Sequence, residues 1–275
     1  MTGAAERQAG AVAAPFVTLT TDFGLDDPFV GLVKARILAA CPAARIVDLT
    51  HAIPPYAIEA GAFWIERCSD WFPPGSFHLG IVDPGVGTSR RLLAVGTGGH
   101  VFLGPDNGLL GPVAARCGAV VRWVDAAILG RIGLSRVSAT FHGRDILGPL
   151  VGLLAAGRLA FEDLGAATEA WHRPDWPDVE AGPEGVRGRV ILVDRFGNCF
   201  SNIKSDALKL VEDPAPVFGG HSLPLVRTYG ERPAGSLVAL VNSFDVVEAA
   251  CVAGSAANRL KLGPGAPVEI RRGTG

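Results

Sequence analysis

Four short clusters carry the residue types that do chemistry: Thr20-Thr21-Asp22-Phe23-Gly24, Asp83-Pro84-Gly85-Val86-Gly87-Thr88-Ser89-Arg90, Thr140-Phe141-His142-Gly143-Arg144-Asp145 and Asp194-Arg195-Phe196-Gly197-Asn198. Carboxylates at Asp22 and Asp83, an imidazole at His142 and a fixed cation at Arg90 are the ingredients for orienting and deprotonating a water molecule. Each cluster also has an ordinary structural explanation. Asp22 reads as a turn acceptor, Asp83-Pro84-Gly85 as a β-turn, Asp145 as a helix N-cap and Phe196-Gly197-Asn198 as a hairpin turn. What favours chemistry is position: Asp22 follows the first predicted strand and Asp83 the third, so a parallel sheet would bring both to one edge, where ligands gather.

Other chemistries find no support. There is no G-x-x-x-x-G-K-[ST], no G-x-G-x-x-G after the first strand and no G-x-S-x-G nucleophile elbow. His51, His78, His100, His142, His172 and His221 lack close metal-ligand spacing, so no metal is expected. His78, inside an apolar strand, reads as a satisfied core residue. Trp64 and Trp71 read as packing; Tyr56, in a Pro-rich turn, is the aromatic with a case for the site. Cys41, Cys68, Cys117, Cys199 and Cys251 form no C-x-x-C pair, which suits reduced, mostly buried thiols in a cytoplasmic protein.

The elements that must hold these clusters follow from periodicity. Phe16 to Thr20, Arg45 to Leu49 and Phe77 to Val82 are strand-like, separated by helices from Asp27-Pro28, with Asp27 as cap, and from about Ala57 to Trp71. Further strands (Leu92 to Val95, Val101 to Leu103, Val120 to Val124) and helices (about Gly108 to Cys117, Asp145 to Ala156) extend the unit. The expectation is an α/β amino-terminal domain with a mainly parallel central sheet at 15–169, after a disordered tail at 1–14. A linker at 170–188, marked by Pro174, Pro177 and Pro183, leads to a small all-β barrel domain at 189–275 with strands at Arg189 to Asp194, Cys199 to Ile203, Ser236 to Val241, Val246 to Cys251 and Ala266 to Ile270.

Composition agrees. The 275 residues are 48% apolar and 19% charged, enough for a large core, and a net charge of −2 offers no footprint for nucleic acid or an anionic membrane. The nearly uncharged run from Ile146 to Ala156 is far short of the ~20 residues of a membrane span and reads as a buried helix. The 36 Gly and 20 Pro imply many tight turns.

Together the clusters resemble the S-adenosylmethionine hydroxide adenosyltransferases, relatives of fluorinating and chlorinating enzymes that use the same substrate. The resemblance runs from about Phe16 to Arg271 and adds Val47-Asp48-Leu49-Thr50-His51, Pro105-Asp106-Asn107-Gly108, Asn242-Ser243 and Gly254-Ser255-Ala256-Ala257. It implies hydrolysis of S-adenosylmethionine to adenosine and methionine by attack of water on the ribose 5′-carbon, with no cofactor. It implies a catalytic triad at Asp83, Arg90 and His142, with Asp22 on the ribose hydroxyls and Tyr56, Phe141 and Gly143 around the reacting centre. It implies that Phe196 stacks on adenine, Asn198 reads its edge, the backbone of Ala253 contacts it, Asp194 pairs with the methionine ammonium and Ser243 meets the carboxylate. A homotrimer is also implied, with each site between the large domain of one subunit and the small domain of its neighbour.

One departure and two rivals accompany this reading. Halogenating relatives carry an arginine after that serine, where this chain has Phe244. A halide-dependent, chlorinase-like halogenase is disfavoured because a carboxylate 4 Å from a halide opposes it by about 4 kcal/mol at an effective dielectric of 20, and because only Gly96-Thr97-Gly98-Gly99 connects two strands where those enzymes carry an insertion. A non-catalytic S-adenosylmethionine or nucleoside-binding protein would not require Asp83, Arg90 and His142 together.

Overall fold

A computed structural model describes residues 14–134, 136–173, 179–182 and 185–273. The chain divides into two compact units, Met1–Pro174 and Asp175–Gly275. The tail expected at 1–14 lies outside the described residues apart from Ala14, as do Pro174, Pro177 and Pro183 of the expected linker.

The first unit runs β1 (Phe16–Thr21), α1 (Phe29–Ala40), β2 (Arg45–Thr50), α2 (Ile58–Cys68), β3 (Phe77–Ile81), β4 (Leu92–Thr97), β5 (His100–Pro105), α3 (Gly111–Ala114), β6 (Val120–Trp123), α4 (Ala126–Arg131) and α5 (Gly148–Ala155). Its sheet has the order β2-β1-β3-β5-β4-β6. The pairs β1 with β2, β1 with β3 and β3 with β5 are parallel. β4 is antiparallel to both β5 and β6, so the sheet is mixed, and the expectation of a mainly parallel one holds only for its β2-β1-β3-β5 half. The cause is local. Thr97 pairs with His100 across Gly98-Gly99, whose φ values of 60° and 81° suit a two-residue hairpin turn that reverses the chain.

The core beneath this sheet follows the apolar pattern. Val17 and Leu19 of β1 and Leu79 and Ile81 of β3 are buried against Val33 and Ile37 of α1 and Leu150, Val151 and Leu154 of α5. Each such side chain contributes about 1.5–3 kcal/mol. α5 is apolar all round and buried, as its sequence predicts; a Cβ on Gly152 would sit 2.8 Å from Ile37 O, so the two helices pack at backbone distance. α1 differs from expectation. Pro28 occupies the N-cap with no side-chain cap from Asp27, and Phe29, Leu32 and Leu38, which share the helical apolar pattern, are exposed. The helix expected over Gly108 to Cys117 is the single turn α3. Trp71, expected to pack, is 80% exposed, whereas Trp64 packs edge-on against Phe63.

His78 is the satisfied core residue its setting predicts. Nδ1 lies 2.8 Å from Thr18 Oγ1 and Nε2 lies 3.2 Å from His100 Nδ1, with the ring stacked on Phe102 at 4.7 Å. Burial is the main force pushing its pKa down, to about 3, with His100 adding to it. The folded chain therefore keeps His78 neutral while the unfolded chain protonates it below 6.5. Stability should fall with pH from 6.5 towards 3, by up to about 1.4 kcal/mol per pH unit from this group. Urea midpoints measured at pH 7 and pH 5 should separate less in His78→Asn than in wild type; equal separations would exclude His78 as the source.

The second unit contains β7 (Glu180–Gly182), β8 (Gly185–Val193), β9 (Cys199–Lys204), β10 (Pro214–Phe218), β11 (His221–Ser222), β12 (Leu237–Val241), β13 (Val246–Cys251), α6 (Ala256–Leu260) and β14 (Pro267–Arg272). Its sheet follows the path β11-β10-β14-β8-β9-β13-β12 with antiparallel neighbours, and β7 pairs with β8. The path is open, ending at β11 and β12, so the described ladder is an antiparallel sheet short of a closed barrel. The unit is not wholly β, since it carries α6. β7 and the start of β8 lie within 170–188, and β10 has no counterpart in the sequence reading because Pro214 and Pro216 resemble a loop.

Candidate functional site

The first cavity, ≈ 340 Å³, opens at the carboxyl ends of β1 and β3. Thr21 pairs with Ile81 in parallel register, so Asp22 and Asp83 emerge just beyond neighbouring strand ends, and both line the cavity. His142, Phe141, Gly143 and Tyr56 line it as well. Six of the residues singled out from sequence thus share one wall.

Asp83 is placed by turns on either side. Asn107 Nδ2 donates to Val82 O at 2.9 Å, tying the Pro105-Asp106-Asn107-Gly108 turn to the residue before it. After it, Val86 N donates to Asp83 O and Thr88 Oγ1 to Gly85 O. Gly87 has φ +80°, and a Cβ there would stand 2.2 Å from Ala139 O. Only glycine lets this turn seat against the segment leading to His142.

Arg90 joins the two segments. Its Nε donates to Asp83 Oδ1 at 2.7 Å and its Nη2 to Asp83 Oδ2, a two-pronged ion pair. The same Nη2 lies 3.2 Å from His142 Nδ1. A guanidinium only donates, so Nδ1 accepts and the neutral imidazole carries its proton on Nε2. Burial, followed by the Arg90 charge, lowers the His142 pKa below 6.5, with Asp83 and Asp145 pulling the other way.

His142 leads into a π-helical turn, Gly143–Leu147, a form common at functional sites. Asp145 lies inside that turn instead of capping a helix; it accepts from Ser138 N and pairs with Arg144, which holds the carboxyl below the usual carboxylate range. A Cβ on Gly143 would meet Ile81 Cδ1 at 2.9 Å, so its lack of a side chain lets the turn close on β3.

Asp22 accepts from Tyr56 N at 3.0 Å, so among the described residues it ties in a distant turn instead of closing its own. The Thr21 to Gly24 turn is held by His51: Nδ1 lies 2.8 Å from Thr21 Oγ1, and Gly24 N donates to His51 O. Phe23, Phe29 and Phe141 meet edge to face at 5.5 to 5.8 Å and form an apolar wall. Phe29 and Pro55 escaped the sequence reading, since an apolar residue at helical spacing reads as core.

A second cavity, ≈ 680 Å³, lies in the carboxy-terminal unit and is lined by Asp194, Phe196, Asn198, Ser243 and Ala253, all five residues singled out there. Asp194 Oδ1 accepts from Phe196 N and Asn198 N, and Oδ2 from Asn198 Nδ2, so the hairpin-turn explanation is also correct. Phe196 is 76% exposed at its tip. Ala253 has φ +55°, uncommon for a residue with a side chain. Among the described residues no three His, Cys, Asp or Glu side chains come together as metal ligands.

The amino-terminal and carboxy-terminal domain models of the SAM hydroxide adenosyltransferases match residues 17–165 and 188–269. The chain belongs to this family. It is 35% identical over 265 residues to the (R)-S-adenosyl-L-methionine hydrolase of Salinispora arenicola, covering 95% of this chain and 99% of that one. The hydrolase of the same name from Thermus thermophilus is 37% identical over 264 residues, 92% and 98% of the two chains. A fluorinase from Actinopolyspora mzabensis is more distant, at 26% over 297 residues, 94% and 97% of the two chains. A crystal structure of a conserved protein from Thermotoga maritima superposes with a TM-score of 0.83 at 32% identity, covering 94% and 100% of the chains.

Three further motifs of the sequence have a physical account in this chain. The Val47 to His51 segment anchors the Asp22 turn, and the Pro105 to Gly108 turn anchors Val82 beside Asp83. Gly197 O accepts from Ala257 N, so the Gly254 to Ala257 motif supports the Phe196 hairpin. Glu248 and Tyr229 also line the second cavity and were not anticipated; the available signal was a lone acidic residue inside the apolar strand Val246-Val247-Glu248-Ala249-Ala250-Cys251.

Proposed function

We propose that this chain hydrolyses S-adenosyl-L-methionine to adenosine and L-methionine, with water attacking the ribose 5′-carbon. The observation that carries the reading is the Asp83-Arg90-His142 contact set at a cavity that Asp22 also lines. The sulfonium is already a good leaving group, so the chemical demand is an activated water held in line with the carbon–sulfur bond. In our reading His142 donates Nε2–H to that water, Asp83 accepts its proton on a lone pair left over from the Arg90 pair, and Arg90 stabilises the hydroxide character that develops. Asp22 holds the ribose hydroxyls, with Tyr56, Phe141 and Gly143 around the reacting carbon.

Phe196 stacks on adenine, Asn198 reads its edge, the Ala253 backbone contacts it, Asp194 takes the ammonium and Ser243 the carboxylate. In this proposal 15–169 is the catalytic α/β domain, 170–188 the connection, whose end already carries β7 and the start of β8, and 189–275 the small domain built on the open antiparallel sheet. The assembly is a homotrimer in which each site pairs the large domain of one subunit with the small domain of the next, and no cofactor takes part. The five free cysteines support a reducing, cytoplasmic setting.

The Asp83 carboxylate opposes a halide less than its bare charge suggests, because Arg90 offsets it. The two-residue β4–β5 turn and the higher identity to hydrolases than to fluorinases favour water. Incubation with S-adenosylmethionine, with and without chloride, should release adenosine and methionine at equal rates in both. Intact substrate at high enzyme concentration would reject hydrolysis, and 5′-chloroadenosine would establish a halogenase. In isotopically labelled water, the label belongs in the adenosine 5′-hydroxyl.

A pH dependence follows from His142. Protonation would put a second proton donor against Arg90 Nη2 and break the triad, and the lowered pKa keeps the ring neutral to below 6.5. The acid limb of kcat/KM should therefore fall below pH 6.5; a half-maximum at or above 6.5 would contradict it.

A further inference from the structure

The floor of the second cavity holds a carboxylate with an unusual set of partners. Glu248, on β13, is 1% exposed. Its Oε1 accepts from Tyr229 Oη and its Oε2 from Asn242 Nδ2 at 2.9 Å. Among the described residues it makes no ion pair, so two neutral donors alone satisfy a buried acid. Removing it would leave Tyr229 Oη and Asn242 Nδ2 without that acceptor.

Asn242 transmits this contact. With Nδ2 committed to Glu248, its Oδ1 faces the other way and accepts from Phe244 N at 2.9 Å and Val246 N at 3.3 Å. Asn242 N donates to Val246 O, and Asp245 N donates to Asn242 O. These bonds close the turn from Asn242 to Val246, with Asp245 at φ +60° and Ser243 exposed beside the cavity. A flipped amide would point its NH₂ at the Phe244 and Val246 amides and its oxygen at the Glu248 carboxylate, two repulsions that the observed orientation avoids.

We propose that Glu248 is a positioning residue of this cavity: its buried carboxylate fixes the Asn242 amide, the amide folds the 242–246 turn, and the turn presents Ser243 to the carboxylate end of the substrate. The assignment rests on the hydrolase reading for the identity of that substrate, and on the hydrogen bonds alone for the control of the turn. It also gives a physical account of Phe244. Without a guanidinium after Ser243, more of the recognition at this turn falls to the neutral Ser243, whose contribution depends on its placement.

The test compares Glu248→Leu, Glu248→Gln and Asn242→Asp in the full chain. Leu removes both acceptors. Gln can accept from Asn242 Nδ2 and donate to Tyr229 Oη, retaining the geometry without the charge. Asp at 242 keeps the acceptor for Phe244 N and Val246 N but replaces the donor to Glu248 with a carboxylate oxygen, which sets two acids against each other in place of the hydrogen bond. The Leu and Asp variants should raise KM for S-adenosylmethionine about tenfold or more with kcat changed less than about threefold, and Gln should recover most of the KM.

Hydrogen exchange of the 242–246 amides is the readout independent of activity: faster in Glu248→Leu and Asn242→Asp, close to wild type in Glu248→Gln. If Glu248→Leu does not fold, Asn242→Asp and Glu248→Gln carry the comparison. Unchanged exchange in Asn242→Asp, or a KM rise as large in Gln as in the other two, would overturn the proposal. A wild-type chain that leaves S-adenosylmethionine intact would instead refute the hydrolase reading, and exchange would still decide the role of Glu248.

Discussion

Asp83→Asn and His142→Ala should each lower turnover of S-adenosylmethionine by about 10²–10⁴-fold, the range for removing a positioned proton-transfer group. Asn at 83 keeps the size of the side chain but cannot take a proton from water, and it weakens the two-pronged hold on Arg90. Ala at 142 removes the Nε2 donor and frees Arg90 Nη2. Because the three side chains act as a unit, the double variant should be little slower than the slower single one.

Adenosine binding should survive in both variants, since Asp22 and the carboxy-terminal cavity are untouched. Asp83 and Arg90 side chains are only 7% and 10% exposed, so losing the pair costs stability as well. A far-UV melt separates that effect from lost chemistry. Turnover within tenfold of wild type in a folded variant would remove that residue from the proposed mechanism.

Mixing two inactive variants should restore activity. In the proposed shared site, Asp83→Asn would disable the amino-terminal half and a Phe196→Ala, Asp194→Ala double variant the carboxy-terminal half. If each site draws its halves from neighbouring subunits of a trimer, random exchange of subunits gives roughly a quarter of sites with both halves intact. If each chain supplied both halves of its own site, every site would keep one defect and the mixture would stay as inactive as its components. The measurement is turnover after refolding the two variants together, compared with each refolded alone. The exposed Phe196 and Tyr56, 76% and 71%, are the kind of aromatic surface that such an assembly would cover.

Much of this site was legible as sequence because it is built from short, local devices. Asp22 and Asp83 follow strands that the apolar pattern reveals, and the order strand, helix, strand predicts neighbours whose carboxyl ends align. The hairpin at Asp194 to Asn198 is also local. Its turn chemistry and its place in the cavity depend on the same residues, so a structural explanation of Asp194 does not count against a functional one. The mixed sheet was less apparent, although Gly98-Gly99 contained the signal; a two-residue turn with two positive φ values permits only an antiparallel return.

What the sequence by itself determined is the family, the strand ends that carry Asp22 and Asp83, and which side chains are candidates for the chemistry. Side-chain type and hydrophobic period are properties of neighbouring residues, and these features need nothing else. Only the tertiary structure decided that Arg90 binds Asp83 and His142 at once, that Gly87 must back onto Ala139, that Phe29 faces a cavity, and that Glu248 accepts from Asn242. Each of these joins segments distant along the chain, or sets which face of an element meets a cavity. Such contacts are fixed by the packing of whole elements, and local pattern contains no term for them.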